Sequence, residues 1–289
     1  MDYMDRSGKL YKENTGQDKL LRWMYTSGTG RRLLSLLVQP LVSEIGGLFL
    51  KTHLSALLVP GFVKRNGIRL EEYEKQRFSS YNDFFTRRIR PEKRPVCMEE
   101  GVLVSPCDGR VTVCRIAEDS SFYIKGMEYS LKGLLRDDKA VEHFQGGTAL
   151  ILRLCVDNYH HYCYPASGEK SKNRRIPGLY HTVNPAAVEQ TKVYHENTRE
   201  YCFLRTERLG ILCMMEVGAL MVGKISNRHP EKRHVLKGEE KGCFEFGGST
   251  IVLLLQKGKV RMDQDLVKHS AEGYETMVKM GERIGEADG

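Results

Sequence analysis

Apolar and polar residues follow two different periodicities along the chain. Up to about residue 95, apolar residues recur at helix-like intervals, most clearly in KLLRWMYTS (residues 19–27) and between Gly30 and Asn66. Glycine and proline interrupt these intervals, as they do between successive helices. The pattern predicts that residues 1–95 form a helical region.

Beyond residue 95 the pattern changes to short apolar runs separated by Gly, Pro, Asp and Asn. The runs are GVLVSP, GRVTVCRIA, TALILRLCV, YCFLRTERLG, ILCMMEVGALMVGKI and STIVLLLQKGKV. Short strands at this spacing, with turn residues between them, are typical of barrels and sandwiches. We therefore predict an α+β protein, with a β-rich, barrel-like or sandwich-like core over residues 96–289.

The N-terminal helices have features of a membrane-associating region. The most apolar segment, Leu33–Leu50, is interrupted by polar residues, a proline and a glycine pair, whereas a spanning helix needs roughly 20 apolar residues in succession. Trp23 and Tyr25 flank this segment, and from Lys64 to Arg94 ten Lys/Arg outnumber five Asp/Glu. These features fit helices that lie on an anionic bilayer, and they equally fit helices that cover one side of a core.

Composition narrows the class of protein. The formal net charge of +8 over 289 residues favours an anionic partner, either nucleic acid or an acidic membrane surface. The eight cysteines include no CxxC pair, and the first residues do not read as a signal peptide. We therefore expect reduced thiols in a cytoplasmic setting, without a disulfide framework or a zinc site.

A glycine pair directly precedes a serine within the β-rich region. In EFGGST, Gly247 and Gly248 come before Ser249, and alone this pattern most often marks a bulge or a turn. Three other blocks precede it in order: YNDFFTRRIRPEKRPV (residues 81–96), LVSPCDGRV (residues 103–111) and LCVDNYHHYCYP (residues 154–165). With these four ordered blocks, the chain from about residue 60 resembles the phosphatidylserine decarboxylases.

The resemblance implies that the chain cuts itself between Gly248 and Ser249. The serine hydroxyl would attack the carbonyl of Gly248 to give an ester, and elimination followed by hydrolysis would leave a pyruvoyl group at position 249. The products would be a large chain, residues 1–248, and a small chain, residues 249–289. Glycines before the serine suit this step, because they allow unusual backbone angles and leave the target carbonyl uncrowded.

The resemblance also implies a reaction and its partners. The substrate amine would form a Schiff base with the pyruvoyl group, and phosphatidylserine would lose CO₂ to become phosphatidylethanolamine, a step of phospholipid biosynthesis. Such an enzyme would be peripheral to the cell membrane on its cytoplasmic side, with anionic phospholipid as its partner. The acyl-chain preference and homodimerisation stay open.

The family uses a Ser-His-Asp arrangement for self-processing, and Asp108 matches its aspartate. The family pattern Tyr-His-x-x-His-x-Pro has two histidines, but here His160 occupies the first position and Cys163 the second. His160, adjacent His161 and His181 are therefore all candidates for the base. Because neighbouring strand residues face opposite sides, His160 and His161 should not share one site. His160 is our first choice, His181 the reserve, and Cys163 ranks below the histidines.

Two further residues and one charged segment are assigned on weaker grounds. Arg199 matches a family block and could hold the lipid phosphate or the serine carboxylate. Glu216 lies in another matched block without a defined role. The run from Lys237 to Gly242 is predicted to be a solvated hairpin tip.

Three other functions fit parts of the sequence but explain it less fully than decarboxylation does. A non-catalytic lipid-surface protein on the same scaffold would explain Cys163, but Ser249, Asp108 and His160 all argue against it. SPCDGRV also resembles turns of carrier domains, yet no lysine lies in a matching hairpin. Charge alone would permit a nucleic-acid binder, which no stacking-aromatic or helix-turn-helix pattern supports.

Overall fold

The computed structural model describes residues 2–12, 18–219, 224–245 and 249–289. Its helices are α1 (Asp18–Thr26), α2 (Gly28–Leu37), α3 (Pro40–Leu50), α4 (Val59–Asn66), α5 (Tyr81–Phe85), α6 (Leu131–Leu135), α7 (Asp138–Glu142), α8 (Pro185–Val188), α9 (Val193–Glu196) and α10 (Gln264–Ala271). Short 3₁₀ turns cover His53–Leu58, Leu70–Glu72 and Pro91–Lys93.

The strands begin at the N-terminus and recur to the end of the chain. They are β1 (Asp2–Met4), β2 (Leu10–Lys12), β3 (Val102–Val104), β4 (Gly109–Arg115), β5 (Ser121–Ile124), β6 (Met127–Ser130), β7 (Thr148–Leu154), β8 (His161–Cys163), β9 (Gly168–Lys170), β10 (Arg174–Ile176), β11 (Arg199–Arg205), β12 (Ile211–Val217), β13 (Lys224–Asn227), β14 (Arg233–Val235), β15 (Glu240–Glu245), β16 (Ser249–Leu255), β17 (Val260–Met262), β18 (Glu275–Val278) and β19 (Arg283–Ala287).

Local sequence signals explain several helix ends. The hydroxyl of Ser27 caps α2 by accepting a hydrogen bond from the Gly30 N–H at 2.9 Å. Helix α4 ends at Gly67, whose φ of 61° lies in the left-handed region that glycine adopts without strain. These short capped helices match the glycine and proline punctuation of the sequence.

A large sheet forms the centre of the fold. In the described residues it has eleven strands in the order β14-β9-β11-β12-β16-β7-β4-β18-β1-β2, with β10 paired to β11. Strand β16 lies between β12 and β7, antiparallel to both, and all seven of its residues are buried. Such a strand has an apolar layer on each face, which is why its residues 251–255, IVLLL, are all apolar rather than alternating.

The two faces of β16 belong to different hydrophobic clusters. Val252 and Leu254 pack with residues of α1, α2 and α6–α9. Ile251 and Leu253 face the other way, toward α10 and two three-stranded sheets, β13-β15-β8 and β17-β19-β3. The core is therefore layered like a sandwich around one large open sheet, and the barrel part of our prediction is wrong.

The first residues of the chain differ from the predicted helical region. Strands β1 and β2 form a hairpin, and Tyr3 of β1 lies opposite Glu275 in a parallel pairing with β18. Arg6 strengthens this attachment through hydrogen bonds to Asp263 at 2.8 Å and Asp265 at 2.7 Å. Because these contacts join the N-terminus to residues more than 250 positions away, no local periodicity could have indicated them.

Helices α1–α4 do form in the region predicted to be helical. They leave many large apolar side chains exposed: Trp23, Leu33, Leu36, Leu41, Ile45, Leu48 and Phe49, followed by Leu54, Leu57 and Leu58 before α4. In the described part of the chain, no helix has the length and apolarity needed to cross a bilayer.

A buried ion cluster joins β18 to the rest of the sheet. Arg153 Nη2 donates to Glu275 at 2.6 Å, and Lys125 Nζ donates to the same carboxylate at 2.8 Å. Burial alone would raise the pKa of Glu275, but these two cations outweigh it and hold the pKa well below its usual range. Since the pKa is lowered, the carboxylate stabilises the fold above the ordinary glutamate pKa and loses that effect as pH falls toward its folded value.

We therefore expect Glu275→Gln to lower the free energy of unfolding by about 3–5 kcal/mol at pH 7, because two buried cations lose their partner. Below about pH 4.5 the difference from the wild type should shrink by about 1.4 kcal/mol per pH unit. Urea unfolding between pH 7 and pH 3.5 measures both effects. A difference that stays constant over this range would contradict the assignment.

Candidate active site

Five strands bring the candidate residues to one edge of the large sheet. In the antiparallel order β11-β12-β16-β7-β4, the starts of β11, β16 and β4 lie beside the ends of β12 and β7. Ser249 lies opposite Leu154, and continuing the Thr250–Val217 pairing by one residue places Ser249 opposite Gly218. This edge gathers segments that are as much as 140 residues apart in sequence.

Ser249 is fully buried at the first position of β16. Within the described residues, its Oγ is buried and has no hydrogen-bond partner. Because alternate residues share a face, Ser249 projects to the same side as Ile251 and Leu253, toward the small sheets. Burying a hydroxyl without a hydrogen-bond partner costs free energy. A serine in such a position is therefore a candidate for a residue that takes part in a reaction. The predicted cleavage partner Gly248 lies outside the described residues.

His160 occupies the layer into which Ser249 projects. Its carbonyl accepts a hydrogen bond from the Phe244 N–H at 3.0 Å, which extends the β8–β15 ladder by one residue. His160 therefore shares a face with Tyr162, which packs in the same cluster as Ile251. The imidazole is fully buried, with its Nδ1 2.9 Å from the Asn158 carbonyl. The ring of Phe85 lies against it at 4.0 Å between centroids, which fixes its orientation.

His161 has the opposite orientation, as the alternation predicted. Its Nδ1 lies 2.8 Å from Glu240 Oε1 and its Nε2 lies 3.0 Å from the Thr86 carbonyl. Both ring nitrogens are thus engaged, and the ring stacks on Tyr159. This histidine ties β8 to β15 and to the end of α5.

Cys163 is a poor base in this setting. It is almost completely buried, and burial raises the pKa of its thiol to about 12. At neutral pH the thiolate is therefore a negligible fraction of the population. The low rank given to Cys163 agrees with this environment.

Asp108 is held by an arginine instead of a histidine. Arg94 Nε donates to Asp108 Oδ1 at 2.7 Å while Arg94 Nη2 contacts Oδ2, and the Met280 N–H also donates to Oδ1 at 2.9 Å. Both side chains of the ion pair are at most 10% exposed. Among the described residues, no histidine makes a hydrogen bond to this carboxylate, so the expected Asp-His contact is absent. Arg94 was missed because nothing in the sequence marked it among its many basic neighbours.

His181 lies with the helical layer, on the other side of the sheet from the Ser249 side chain. Its Nδ1 is 3.1 Å from the hydroxyl of Tyr25 on α1, and its Nε2 is 3.1 Å from Glu196 Oε2. Burial lowers the pKa of His181. The geometry therefore favours His160 over His181 as the base for Ser249.

Asn197 connects the His181 segment to the sheet edge. This side chain is fully buried, accepts the His181 N–H at 2.8 Å, and donates to the carbonyls of His181 and Gly218 at 2.7 Å each. Because Gly218 lies opposite Ser249, the reserve histidine reaches the site through its backbone and not through its ring.

Arg199 is engaged mainly by the protein itself, because four of its five guanidinium N–H groups donate to carbonyls. It is fully buried, and its guanidinium donates to the carbonyls of Gly133, Leu134, His195 and Asn197 at 2.8–3.0 Å. These four hydrogen bonds connect α6 to α9 and to the start of β11. The burial and the contacts of Arg199 therefore do not support the expectation that it holds the lipid phosphate or the serine carboxylate.

Two charged residues without an assigned role meet in the same layer as Ser249 and His160. Lys241 Nζ donates to Glu216 Oε1, and both side chains are completely buried. Burial alone would lower the pKa of Lys241, but nearby acidic groups, Glu216 among them, outweigh it and raise the pKa. The prediction that Lys241 lies on a solvated hairpin tip is wrong, because a bulge between Glu240 and Gly242 turns it inward.

Comparisons with known proteins give the same assignment as the four sequence blocks. The family model described as phosphatidylserine decarboxylase matches residues 81–286. A protein of Clostridium acetobutylicum named phosphatidylserine decarboxylase proenzyme 2 is 40% identical, over 97% of this chain and 96% of its own length.

Two further relatives carry the name phosphatidylserine decarboxylase proenzyme. The one from Clostridium botulinum is 39% identical over 97% of both chains. The one from Chlamydia felis is 38% identical over the whole of this chain and 99% of its own. The similarity thus includes the N-terminal helices, and this chain belongs to the phosphatidylserine decarboxylase family.

Proposed function

We propose that this protein decarboxylates phosphatidylserine to phosphatidylethanolamine, using a pyruvoyl group that it makes from its own Ser249. The observation that carries the proposal is the buried Ser249 hydroxyl, which is not hydrogen-bonded within the described residues and projects into the layer that contains His160. The names of the relatives supply the substrate, and the word proenzyme in those names agrees with self-cleavage.

The chemistry of cleavage follows from the residues at the sheet edge. His160 accepts the proton of Ser249 Oγ, and the oxygen attacks the carbonyl of residue 248, so that an ester replaces the peptide bond. Loss of the Ser249 α-proton then expels the carboxylate of residue 248 and leaves a dehydroalanine. Addition of water and release of ammonia convert this residue to a pyruvoyl group. The flanking strands β7 and β12 hold Ser249 in place for the attack.

In the mature enzyme, the pyruvoyl group supplies a carbonyl that accepts the electron pair left when CO₂ departs. His160 donates a proton to the carbon that has lost CO₂. The ring of Phe85, which packs against His160, keeps water away from this proton transfer. Asp108 and Arg94 hold the start of β4 beside the site.

Cleavage should leave a stable complex of two chains. Strand β16 of the small chain lies between two large-chain strands, and Glu275 of the small chain is bound by Arg153 and Lys125 of the large chain. Since the whole chain weighs 33.0 kDa, we expect fragments of about 28 and 5 kDa on a denaturing gel. Under native conditions they should elute together.

The test is incubation of the purified protein with phosphatidylserine vesicles, with lipid products separated by thin-layer chromatography. The proposal predicts phosphatidylethanolamine from protein that has been cut into these two fragments. Full-length protein under every folding condition, or cut protein that leaves phosphatidylserine unchanged, would contradict it.

We also propose that helices α2 and α3 attach the protein to the cytoplasmic face of the cell membrane. The support is the exposed apolar side chains of these helices, including Leu41, Ile45 and Leu48, each at least 60% exposed. Burying a leucine-sized side chain contributes about 1.5–3 kcal/mol, so several of them suffice for peripheral binding.

Replacing Leu41, Ile45 and Leu48 together by serine should reduce binding to anionic vesicles at least tenfold, as measured by co-sedimentation. The matched control replaces three exposed apolar residues outside these helices, Met98, Tyr123 and Val267, by serine. The control should bind like the wild type. Equal binding of both variants would exclude α3 as part of the attachment surface, and with it the proposed α2–α3 site.

A further inference from the structure

The Glu216–Lys241 ion pair joins the two sheets on either side of the site. Glu216 belongs to β12 of the large sheet, and Lys241 belongs to β15 of a small sheet. Both side chains are completely buried, and Asn227 Nδ2 also donates to Glu216 at 3.1 Å. The pair is thus a direct polar connection across the layer between the sheets.

This connection lies close to the bond that is cut. Glu216 is opposite Ile251, so Ser249 is its diagonal neighbour on the same face of the sheet. Such diagonal residues are about 7–8 Å apart, and their β-carbons are somewhat closer. On the other side, β15 ends at Glu245 and β16 begins at Ser249. The pair therefore links β12, the neighbour of β16, to the strand that leads into residues 246–248.

Stability alone does not account for this arrangement. Burial raises the pKa of Glu216, and Glu216 also lies directly opposite a second carboxylate, Glu200, on β11. Like charges in that position destabilise a sheet. Replacing a buried ion pair by apolar residues of similar volume is often neutral or stabilising. Two apolar residues at these positions would therefore give the fold at least the same stability.

We propose that Glu216 and Lys241 are positioning residues for self-cleavage. A charged hydrogen bond is directional, so this pair sets the distance and angle between β15 and β12 more narrowly than apolar packing does. In this way it fixes β12 and β15 relative to each other beside Ser249, whose hydroxyl makes the attack. This inference rests on the function proposed above.

The main test compares cleavage with stability in the variant Glu216→Leu/Lys241→Met. The precursor is made by cell-free synthesis, and cleavage is followed on denaturing gels. Melting temperature is measured separately in the Ser249→Ala background, where no chain is cut. We expect cleavage to slow at least tenfold while the melting temperature stays within a few degrees of the parent. Cleavage at the wild-type rate would overturn the inference, and uncut wild-type protein would instead overturn the proposed function.

Two further variants keep the test decisive. Lys241→Arg retains the charge and the hydrogen bond, so we expect it to cleave at least fivefold faster than Lys241→Met. Glu216→Gln retains the side-chain shape but loses the charge, so it should cleave slowly without a matching loss of melting temperature. If cleavage falls only together with melting temperature in all of these variants, the pair is merely structural and the inference is wrong.

Mild treatment with hydroxylamine at neutral pH identifies the affected step, because it cuts an ester much faster than a peptide bond. Hydroxylamine also cuts Asn-Gly bonds slowly, but fragments from Asn66-Gly67 differ in size from those that end at residue 248. If the pair positions the attack, the Glu216→Leu/Lys241→Met precursor forms the ester more slowly, and hydroxylamine should release fragments at least tenfold more slowly than from the wild type. Release at the wild-type rate would show that the attack proceeds without the pair, which would overturn the inference. As a matched control, Glu118→Leu/Lys257→Met removes an exposed ion pair and should cleave like the wild type.

Discussion

Replacing Ser249 with alanine is expected to leave one intact band of full length and to reduce decarboxylation at least 10³-fold. Alanine has no hydroxyl to attack the preceding carbonyl, so neither the ester nor the pyruvoyl group can form. The fold should survive, because Ser249 Oγ makes no hydrogen bond within the described residues and alanine fills nearly the same space. Denaturing gels and a phosphatidylserine assay on the same preparation measure both effects.

The matched control is Ser226→Ala on β13, in the small sheet. It removes a hydroxyl from a partly exposed position and should be cut and active like the wild type. If Ser249→Ala protein is cut or keeps its activity, another residue must supply the reactive group.

Replacing His160 with alanine is expected to slow cleavage by 10²- to 10⁴-fold, the usual contribution of a general base. His160 faces the same layer as Ser249, and neither Cys163, with its raised pKa, nor Asp108, bound to Arg94, can take its place. Time courses of cell-free synthesis, sampled on denaturing gels, give the rate.

His181→Ala provides the comparison, since it removes the reserve candidate on the far side of the sheet. We expect this precursor to be cut within threefold of the wild-type rate. The reverse result, with rapid cleavage of His160→Ala and none of His181→Ala, would assign the base to His181 and would require the helical layer to move at the sheet edge.

Much of the fold could be predicted from local patterns. The runs GRVTVCRIA, TALILRLCV and STIVLLLQKGKV coincide with β4, β7 and β16, because apolar side chains at those positions have an apolar layer to fill. The N-terminal hairpin was not predicted, since its partner β18 is far along the chain.

The candidate site could be assembled from sequence motifs, but its contacts could not. Motifs singled out Ser249, His160 and Asp108, whose roles stay predictions, and strand alternation correctly separated His160 from His161. The partner of Asp108 and the inward turn of Lys241 depend on distant backbone, namely the Arg94 segment and a bulge in β15. The local sequence KGEEKG is the same whether Lys241 is solvated or buried, so it cannot predict which of the two applies.

The most direct measurement is the mass of the small chain isolated from active enzyme. The account predicts that this chain begins at position 249 and is lighter than its encoded sequence by one ammonia, with a keto group that reacts with hydrazines. An active preparation whose position 249 carries an ordinary serine, with its amine intact, would contradict the account.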